Sequence, residues 1–225
     1  MPIALLADAH LGGPGGSGDD LTVQIEALDG DGCERLVVLG DLFHVWVGYR
    51  RYETEEVRRL LPALQALRSR GVEVHYIEGN RDFYLAGGDY DSCFDSIGLE
   101  YAFSLGGVRY LAVHGDGLND RDWRYRFWRR ASKNPLTRAL LKSLPLLGKR
   151  FLSTTDQRLS KTNFEHKKQI PVAVIQRYGE RRLANGHDVL LLGHFHEHRR
   201  WQVAGGEVRL LDAWFRSRKL EWLLP

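Results

Sequence analysis

Five short polar segments of this chain each follow a run of apolar residues of the kind found in buried β-strands. The segments are Asp8-Ala9-His10, Gly40-Asp41, Gly79-Asn80-Arg81-Asp82, His114-Gly115-Asp116 and Gly193-His194-Phe195-His196. In open α/β sheets, the loops that follow the carboxyl ends of the strands converge at one edge, where ligands bind. The order of the segments therefore predicts a fold that brings aspartate, asparagine and histidine side chains to one place.

Apolar runs alternate with segments of helical periodicity along most of the chain. Strands are predicted at Ile3–Leu6, Leu36–Leu39, Val72–Ile77, Val108–Val113, Val189–Leu192 and Val208–Leu211. Helices are predicted at Leu21–Leu28, with Asp19 and Asp20 as capping residues, and at Glu53–Arg70 and Ile170–Asn185. This alternation predicts an α/β fold with a largely parallel sheet and antiparallel strands near the C-terminus.

Residues 118–168 break this alternation with a mixture of aromatic and basic residues. Residues 121–168 hold 14 of the 32 Lys and Arg residues but only 3 of the 29 Asp and Glu residues. Short helices interrupted at Pro135 and Pro145 are expected. We predict an inserted helical cap at 118–168 above a core formed by residues 1–117 and 169–225. The positive charge suits an anionic partner such as a lipid surface, a nucleotide or a nucleic acid, and the alternative is a solvated helical face.

Several features concern the cellular location of the protein. The chain has no run of about 18 apolar residues, so no membrane-spanning helix is expected. The first residues lack the basic region of a signal peptide, and Cys33 and Cys93 form no C-x-x-C motif. These observations predict a cytoplasmic protein with two reduced, buried cysteines.

Seven side chains in the five polar segments are potential metal ligands: Asp8, His10, Asp41, Asn80, His114, His194 and His196. Asp8 and His10 are two residues apart and can reach one ion, and the two carboxylate oxygens of Asp41 can bridge two ions. Oxygen and nitrogen ligands without a thiolate suit Mn²⁺, Fe²⁺, Zn²⁺ or Co²⁺ better than Ca²⁺. Each segment alone occurs by chance, but the five in this order predict two adjacent divalent metals, an arrangement suited to attack on phosphorus.

Together these segments resemble the motifs of the calcineurin-like metallophosphoesterases, which are D-x-H, GD, GN-H-D/E, H and GH-x-H. The resemblance implies a four-layer αββα sandwich of two sheets between helices. It implies that one metal is bound by Asp8, His10, Asp41 and His196. It implies that a second metal is bound by Asp41, Asn80, His114 and His194. A hydroxide activated by the metal pair would then attack phosphorus.

Arg81 departs from the general pattern, because most of the superfamily has histidine after the metal-binding asparagine. A histidine there can donate a proton to a leaving alkoxide. Arginine, with a pKa above about 12, does not readily do so, but it can bind phosphate oxygens bidentately. This predicts a leaving group that needs no proton, such as a phosphate released from a pyrophosphate. The alternative is that Arg81 pairs with Asp82 or another carboxylate.

The segment Gly79–Phe83 also resembles one branch of the superfamily, the UDP-2,3-diacylglucosamine hydrolases of lipid A biosynthesis. Further similarities lie in Asp41-Leu42-Phe43 with Trp46 and Gly48, His114-Gly115-Asp116, Asn134-Pro135-Leu136, Ser160-Lys161 and Asp212-Ala213-Trp214. This resemblance implies hydrolysis of UDP-2,3-diacylglucosamine to UMP and 2,3-diacylglucosamine 1-phosphate with two divalent metals, usually Mn²⁺. The catalytic residues implied are Asp41, Asn80, Arg81 and His114. The substrate-binding residues implied are Trp46, Asn80, Arg81, Tyr125, Ser160, Asn163, Lys167 and His194.

With such a substrate, the predicted cap gains a purpose. Its apolar residues would shelter the acyl chains, or they would form a small core that holds the cap helices. These residues are Trp123, Phe127, Trp128, Leu136, Leu140, Leu141, Leu144 and Leu147. We expect a monomer that is peripherally associated with the anionic inner-membrane surface and binds no nucleic acid. The alternatives are another metal-dependent phosphodiesterase or nucleotide pyrophosphatase, a nucleic-acid-binding module suggested by the aromatic and arginine residues of 123–130, and a scaffold without metal.

Overall fold

Two five-stranded sheets stack face to face in the computed structural model, which describes residues 1–13, 18–118, 123–143, 154 and 170–225. The strands are β1 (Ile3–Leu6), β2 (Arg35–Val38), β3 (Trp46–Val47), β4 (Glu73–Ile77), β5 (Asp82–Phe83), β6 (Ser96–Gly98), β7 (Glu100–Leu105), β8 (Val108–Val113), β9 (Val189–Leu192), β10 (Arg199–Val203), β11 (Gly206–Leu210) and β12 (Glu221–Leu223). The helices are α1 (Asp19–Ala27), α2 (Glu55–Ser69), α3 (Trp123–Ser132), α4 (Pro135–Ser143), α5 (Val172–Leu183) and α6 (Trp214–Ser217).

Both sheets have a parallel centre; the first has one antiparallel edge strand and the second has two. The first has the strand order β12-β1-β2-β4-β6, in which only β12 is antiparallel to its neighbour. The second has the order β10-β11-β9-β8-β7, with β11, β9 and β8 parallel and β10 and β7 antiparallel at its edges. Strands β3 and β5 form a separate parallel pair. The parallel strands bring their carboxyl ends to one side of the molecule.

Three apolar layers define the sandwich. The central layer lies between the sheets and includes Leu5, Val37 and Leu191. Alternate residues of the first sheet point the other way and pack against α1 and α2, as Leu36 and Leu64 do. On the outer face of the second sheet, a third cluster includes side chains of α5, β9 and β11. The four-layer αββα architecture is therefore confirmed.

The predicted strands that pass through the centre of a sheet are all present. The prediction missed β6, β7, β10 and β12, which lie at sheet edges where polar residues interrupt the apolar pattern, and it also missed the two-residue strands β3 and β5. The capping prediction for α1 was wrong, because Asp19 and Asp20 lie inside its first turn, where a negative charge is favourable near the helix N-terminus. Among the described residues, no helix combines the length and the apolar character needed to cross a membrane.

Helices α3 and α4, called here the α3–α4 pair, pack against the β3–β5 ribbon. Leu141 is fully buried beside Val47 and Phe83, and the Tyr52 hydroxyl donates to the Leu141 carbonyl at 2.7 Å. Leu141 thus supports the interpretation in which apolar residues of this region hold their own helices. In contrast, Trp123, Phe127 and Leu136 are 69%, 70% and 78% exposed.

A close backbone contact in the β3–β5 ribbon explains the glycine after Trp46 and Val47. A Cβ at Gly48 would overlap the carbonyl group of Tyr84, with its carbon 2.7 Å away, and would lie 2.9 Å from the Leu85 Cα. Because these are backbone atoms, they cannot rotate aside. We expect Gly48→Ala to lower the free energy of unfolding by about 1–3 kcal/mol, measured by denaturant unfolding.

The matched control for this prediction is Gly117→Ala. There a Cβ would meet no atom of the described residues within 4 Å, so we expect a change within about 0.5 kcal/mol. Equal unfolding midpoints for the two variants would contradict the packing argument.

Candidate metal centre

The predicted ligands lie in five loops that follow β1, β2, β4, β8 and β9. The loops are joined by backbone hydrogen bonds, among them the Asp8 N–H to the Gly40 carbonyl at 3.3 Å and the His10 N–H to the Asp41 carbonyl at 3.0 Å. These bonds connect the loop after β1 to the loop after β2. The polar ends of neighbouring strands are therefore held against one another rather than extending separately into solvent.

Five of the predicted ligands have left-handed backbone conformations. The φ angles are 50° for Asp8, 47° for His10, 53° for Asp41, 66° for His194 and 55° for His196. This region is sparsely populated by residues other than glycine, and such residues are concentrated at functional sites. The conformation turns the chain sharply at the end of each strand and directs the polar side chains toward a common point.

One compact group consists of Asp8, His10 and His196. The Asp8 Oδ1 atom lies 3.1 Å from His196 Nε2 and 3.6 Å from His10 Nε2, and the two imidazole nitrogens are 3.2 Å apart. Burial by itself raises the pKa of Asp8, but His196, His114 and His10 outweigh it and hold the pKa below its usual value. The carboxylate is therefore ionised, with two imidazoles directed at it.

A second group contains Asp41, Asn80 and His114. The Asn80 Oδ1 atom is 3.2 Å from His114 Nε2, and the Asp41 Oδ2 atom is 3.6 Å from the same nitrogen. The Nδ1 atom of His114 donates to the Leu39 carbonyl at 2.6 Å, which leaves Nε2 directed into the site. Asp8 also lies close to Asp41 and His114, so the two groups are adjacent.

His194 completes the set at the rim. Its ring lies 5.1 Å from the His114 ring, and its backbone N–H donates to Asp8 Oδ2 at 2.7 Å. Burial and the neighbouring His114 lower the pKa of His194 to about 3, so the imidazole is neutral, as a metal ligand must be. His194 and His10 are partly exposed, whereas Asp8, Asp41 and His114 are fully buried. The open side of the site therefore lies at the two histidines.

All seven predicted ligands thus converge, and their chemistry fits divalent metals. Two carboxylates, one amide and four imidazoles, with no thiolate among them, form a mixed oxygen and nitrogen donor set. Burial and the nearby Asp8 carboxylate raise the pKa of Asp41, so its ionised form needs further charge compensation, which cations provide.

Asp82 supports this site in a way that the sequence did not indicate. Its Oδ2 atom accepts hydrogen bonds from the N–H groups of Asp41 at 3.0 Å and Gly79 at 2.8 Å, so it joins two ligand loops. Burial and the adjacent Asp41 raise the pKa of Asp82 to about 7. The only sequence signal for Asp82 was its place in the segment that carries Asn80.

Phe215 is a second supporting residue that the sequence analysis missed. Its ring lies 5.5 Å from the His10 ring and 5.1 Å from the His196 ring. It belongs to α6, which follows the predicted similarity at Asp212-Ala213-Trp214. The aromatic contact restricts the orientation of both imidazoles.

Arg81 is buried and pairs with a carboxylate, as the alternative interpretation expected, but the partner is Asp41 rather than Asp82. Its side chain is 2% exposed, its Nη1 atom donates to the His44 carbonyl at 2.9 Å, and its Nε atom lies 3.7 Å from Asp41 Oδ2. The Arg81 backbone N–H also donates to Asp41 Oδ1 at 2.9 Å. The arginine therefore contacts the proposed bridging carboxylate from both its backbone and its side chain.

The structure corrects one predicted substrate contact. Trp46 is 1% exposed and packs edge-on against Phe43 at 4.9 Å and Tyr76 at 5.4 Å between ring centroids. It lies in the core because it faces α2 rather than the open side of the site, and it has no surface for a ligand. The predicted contacts of the Tyr125 side chain, Ser160, Asn163 and Lys167 lie outside the described part of the chain.

Comparisons with known proteins agree with this geometry. Residues 1–198 match the model of the family described as calcineurin-like phosphoesterase. The UDP-2,3-diacylglucosamine hydrolase of Marinobacter nauticus is 31% identical over 170 residues, which cover 75% of this chain and 68% of that protein. The enzyme of the same name from Azotobacter vinelandii is 34% identical over 195 residues, covering 82% and 79%, and one from Pseudomonas putida is 30% identical over 200 residues, covering 88% and 82%.

Proposed function

The chain belongs to the calcineurin-like phosphoesterase family, and from this premise we propose that it hydrolyses the pyrophosphate bond of UDP-2,3-diacylglucosamine. The products are UMP and 2,3-diacylglucosamine 1-phosphate, an intermediate of lipid A biosynthesis. The observation that carries the proposal is the convergence of all seven predicted ligands on two adjacent groups, with Arg81 in contact with Asp41. Relatives that are 30–34% identical over most of the chain support the choice of substrate.

The protein binds divalent metal, and we assign the ligands to two ions, most simply Mn²⁺. Asp8, His10, Asp41 and His196 would hold one ion, and Asp41, Asn80, His114 and His194 would hold the other. A metal pair of this kind supplies Lewis acidity that activates water and neutralises charge on the phosphoryl oxygens. Asp41 would be the shared ligand, because it lies close both to Asp8 of the first group and to His114 of the second.

The residues of the chain define where the substrate phosphates bind. The partly exposed His10 and His194 leave the open side of the site between them, so the pyrophosphate approaches from that side. Arg81 places a permanent positive charge beside Asp41 without offering a proton. A phosphate leaving group needs no protonation, and this matches a pyrophosphate better than an alkyl ester.

Residues 118–168 are proposed to act as the cap of this site. The exposed Trp123, Phe127 and Leu136 of the α3–α4 pair offer apolar surface for acyl chains or for the lipid surface that delivers them. Each basic residue near an anionic membrane surface contributes about 1 kcal/mol to binding. We therefore propose a monomer that works in the cytoplasm at the inner-membrane surface.

Metal removal tests the proposal directly. We expect release of UMP from UDP-2,3-diacylglucosamine to fall to background after dialysis against a chelator and to recover when Mn²⁺ is added. Because the metals bind only the folded state, Mn²⁺ should also raise the temperature of unfolding. Undiminished UMP release from protein shown by elemental analysis to lack metal would contradict the assignment.

A second substrate tests the role of the acyl chains. UDP-N-acetylglucosamine carries the same pyrophosphate without the two long chains. Each buried methylene contributes about 0.8 kcal/mol, so we expect much slower cleavage of this compound at equal concentration. Equal rates would instead favour a general nucleotide pyrophosphatase.

A further inference from the structure

Two cations of the α3–α4 pair reach the loops that carry His114 and Asn80. We propose that Arg129 and Lys133 are positioning residues, which hold these two loops in the geometry needed to bind the second metal. This inference rests on the two-metal assignment made above for the proposed function. It gives the α3–α4 pair a task in assembling the metal centre, in addition to contacting substrate.

Lys133 fixes the loop that carries Asn80. Its side chain is 13% exposed, and its Nζ atom donates to the Gly79 carbonyl at 2.8 Å and lies 3.9 Å from Glu78 Oε2. The ammonium group also lies 5.5 Å from the centre of the Phe83 ring. The Gly79 carbonyl is part of the peptide group that joins Gly79 to Asn80. This hydrogen bond therefore fixes the orientation of that peptide plane, and with it the direction of the Asn80 side chain.

The same loop is held from its other side. The Gly79 N–H donates to Asp82 Oδ2, and the single proton of the Tyr84 hydroxyl is shared between the Ser132 carbonyl at 2.7 Å and the Asn134 carbonyl at 2.9 Å. Tyr84 therefore contacts both neighbours of Lys133 in the sequence. The segment that carries Asn80 is enclosed between the core and the end of α3.

Arg129 fixes the loop that carries His114. Its Nη1 atom pairs with Asp116, which lies two residues after His114 and has a side chain that is 5% exposed. The Lys133 N–H donates to the Arg129 carbonyl at 3.0 Å, so the two cations are one helical turn apart and project from the same side. A single turn of helix thus contacts both loops that supply Asn80 and His114.

The first metal site is supported by a different part of the fold. Arg216 Nη1 donates to the His196 carbonyl at 2.9 Å, and Phe215 packs on the rings of His10 and His196. Both residues belong to α6. Because the supports are separate, loss of the contacts from Arg129 and Lys133 should weaken one metal and leave the other in place.

The test is calorimetric titration of the full chain, freed of metal, with Mn²⁺. We expect the wild type to bind two ions. In Lys133→Met and Arg129→Gln, the affinity for one ion should fall by at least about tenfold, as is usual when the residues that orient metal ligands are lost. The affinity for the other ion should stay the same. The variant Lys133→Arg keeps a donor and a charge, so its affinity for the first of these ions should be much closer to that of the wild type than the affinity of Lys133→Met.

Arg138→Met is the matched control. Arg138 also lies in the α3–α4 pair, and it donates to the Gly87 carbonyl at 2.9 Å and to the Tyr49 hydroxyl at 3.1 Å, away from the ligand loops. This variant weakens docking of the helical pair without touching the two fixed loops, so we expect it to bind both ions as the wild type does. Circular dichroism shows whether each variant is folded. If Lys133→Met does not fold, the inference is tested with Arg129→Gln alone.

Three results would overturn the inference. If Lys133→Met and Arg129→Gln bind both ions with the affinity of the wild type, the two residues have no positioning role. An equal loss in Arg138→Met would assign the effect to docking of the helical pair in general. Binding of a single ion by the wild type would remove the second site itself. If two ions bind but UDP-2,3-diacylglucosamine is not cleaved, the proposed function fails while the positioning role stands.

Discussion

Asp41→Asn is expected to lower kcat/KM for UDP-2,3-diacylglucosamine by about a thousandfold or more, which corresponds to roughly 4 kcal/mol of transition-state stabilisation. The Asp41 side chain is 2% exposed and presents one oxygen to the Arg81 N–H and the other toward His114 Nε2 and Arg81 Nε. Asparagine has almost the same shape but offers one acceptor oxygen and no charge. It cannot bridge two cations, so the metal pair should be lost together with turnover.

The measurements are the rate of UMP release and the Mn²⁺ content after equilibrium dialysis. Asp188→Asn is the matched control, because it makes the same chemical change in an exposed ion pair with Arg109, on the surface. We expect this control to keep the wild-type rate and two bound ions. An Asp41→Asn variant that is folded and retains a tenth of the wild-type rate would show that Asp41 is not the shared ligand.

The metal centre could be predicted from the sequence because its parts are local. Strands β1, β8 and β9 are largely apolar and end one or two residues before a ligand residue, and their predicted bounds agree with the structure. Parallel strands place these ends on one side, so the topology brings the ligands together without further information.

The edge strands could not be predicted in this way. Strand β10, with the sequence Arg-Arg-Trp-Gln-Val, has one half-exposed face and a polar pattern that resembles a loop. Its pairing with β11 is set by the neighbouring strand rather than by its own composition. The sequence therefore favoured one parallel sheet, and only the resemblance to a known family implied two.

Side-chain partners were the least predictable feature. Trp46 was assigned to the substrate from the family resemblance, yet the chain turns after Phe43 and directs it into the core. Asp82 and Arg81 are adjacent in sequence, but Asp82 binds the backbone of two loops and Arg81 contacts Asp41. Several polar groups lie near one another here, and the direction of the backbone decides which of them form pairs. That direction depends on residues with left-handed backbone conformations, which sequence patterns do not reveal.

Arg81→Met is expected to lower kcat by about a hundredfold while both metals remain bound. The substitution keeps an unbranched side chain in a buried position but removes the charge beside Asp41 and the donor to the His44 carbonyl. Because Arg81 is buried against Asp41, its charge acts on the site through that carboxylate, and loss of one preorganised group of this kind typically costs about 10²–10³ in rate. Arg81→Lys keeps the charge but cannot contact Asp41 and the His44 carbonyl together, so we expect it to recover only part of the rate.

Arg81→His separates the two chemical roles that a residue at this position can have. Histidine titrates near neutral pH and can protonate a leaving group, which arginine does not do. We expect this variant to lose activity on the pyrophosphate but to gain, relative to wild type, on a phosphodiester with an alkoxide leaving group. Its rate on that ester should fall as the pH rises through about 6.5, where the imidazole loses its proton. The same ratio of rates in Arg81→His and wild type would mean that Arg81 does not select the leaving group, and that its contact with Asp41 is its only contribution.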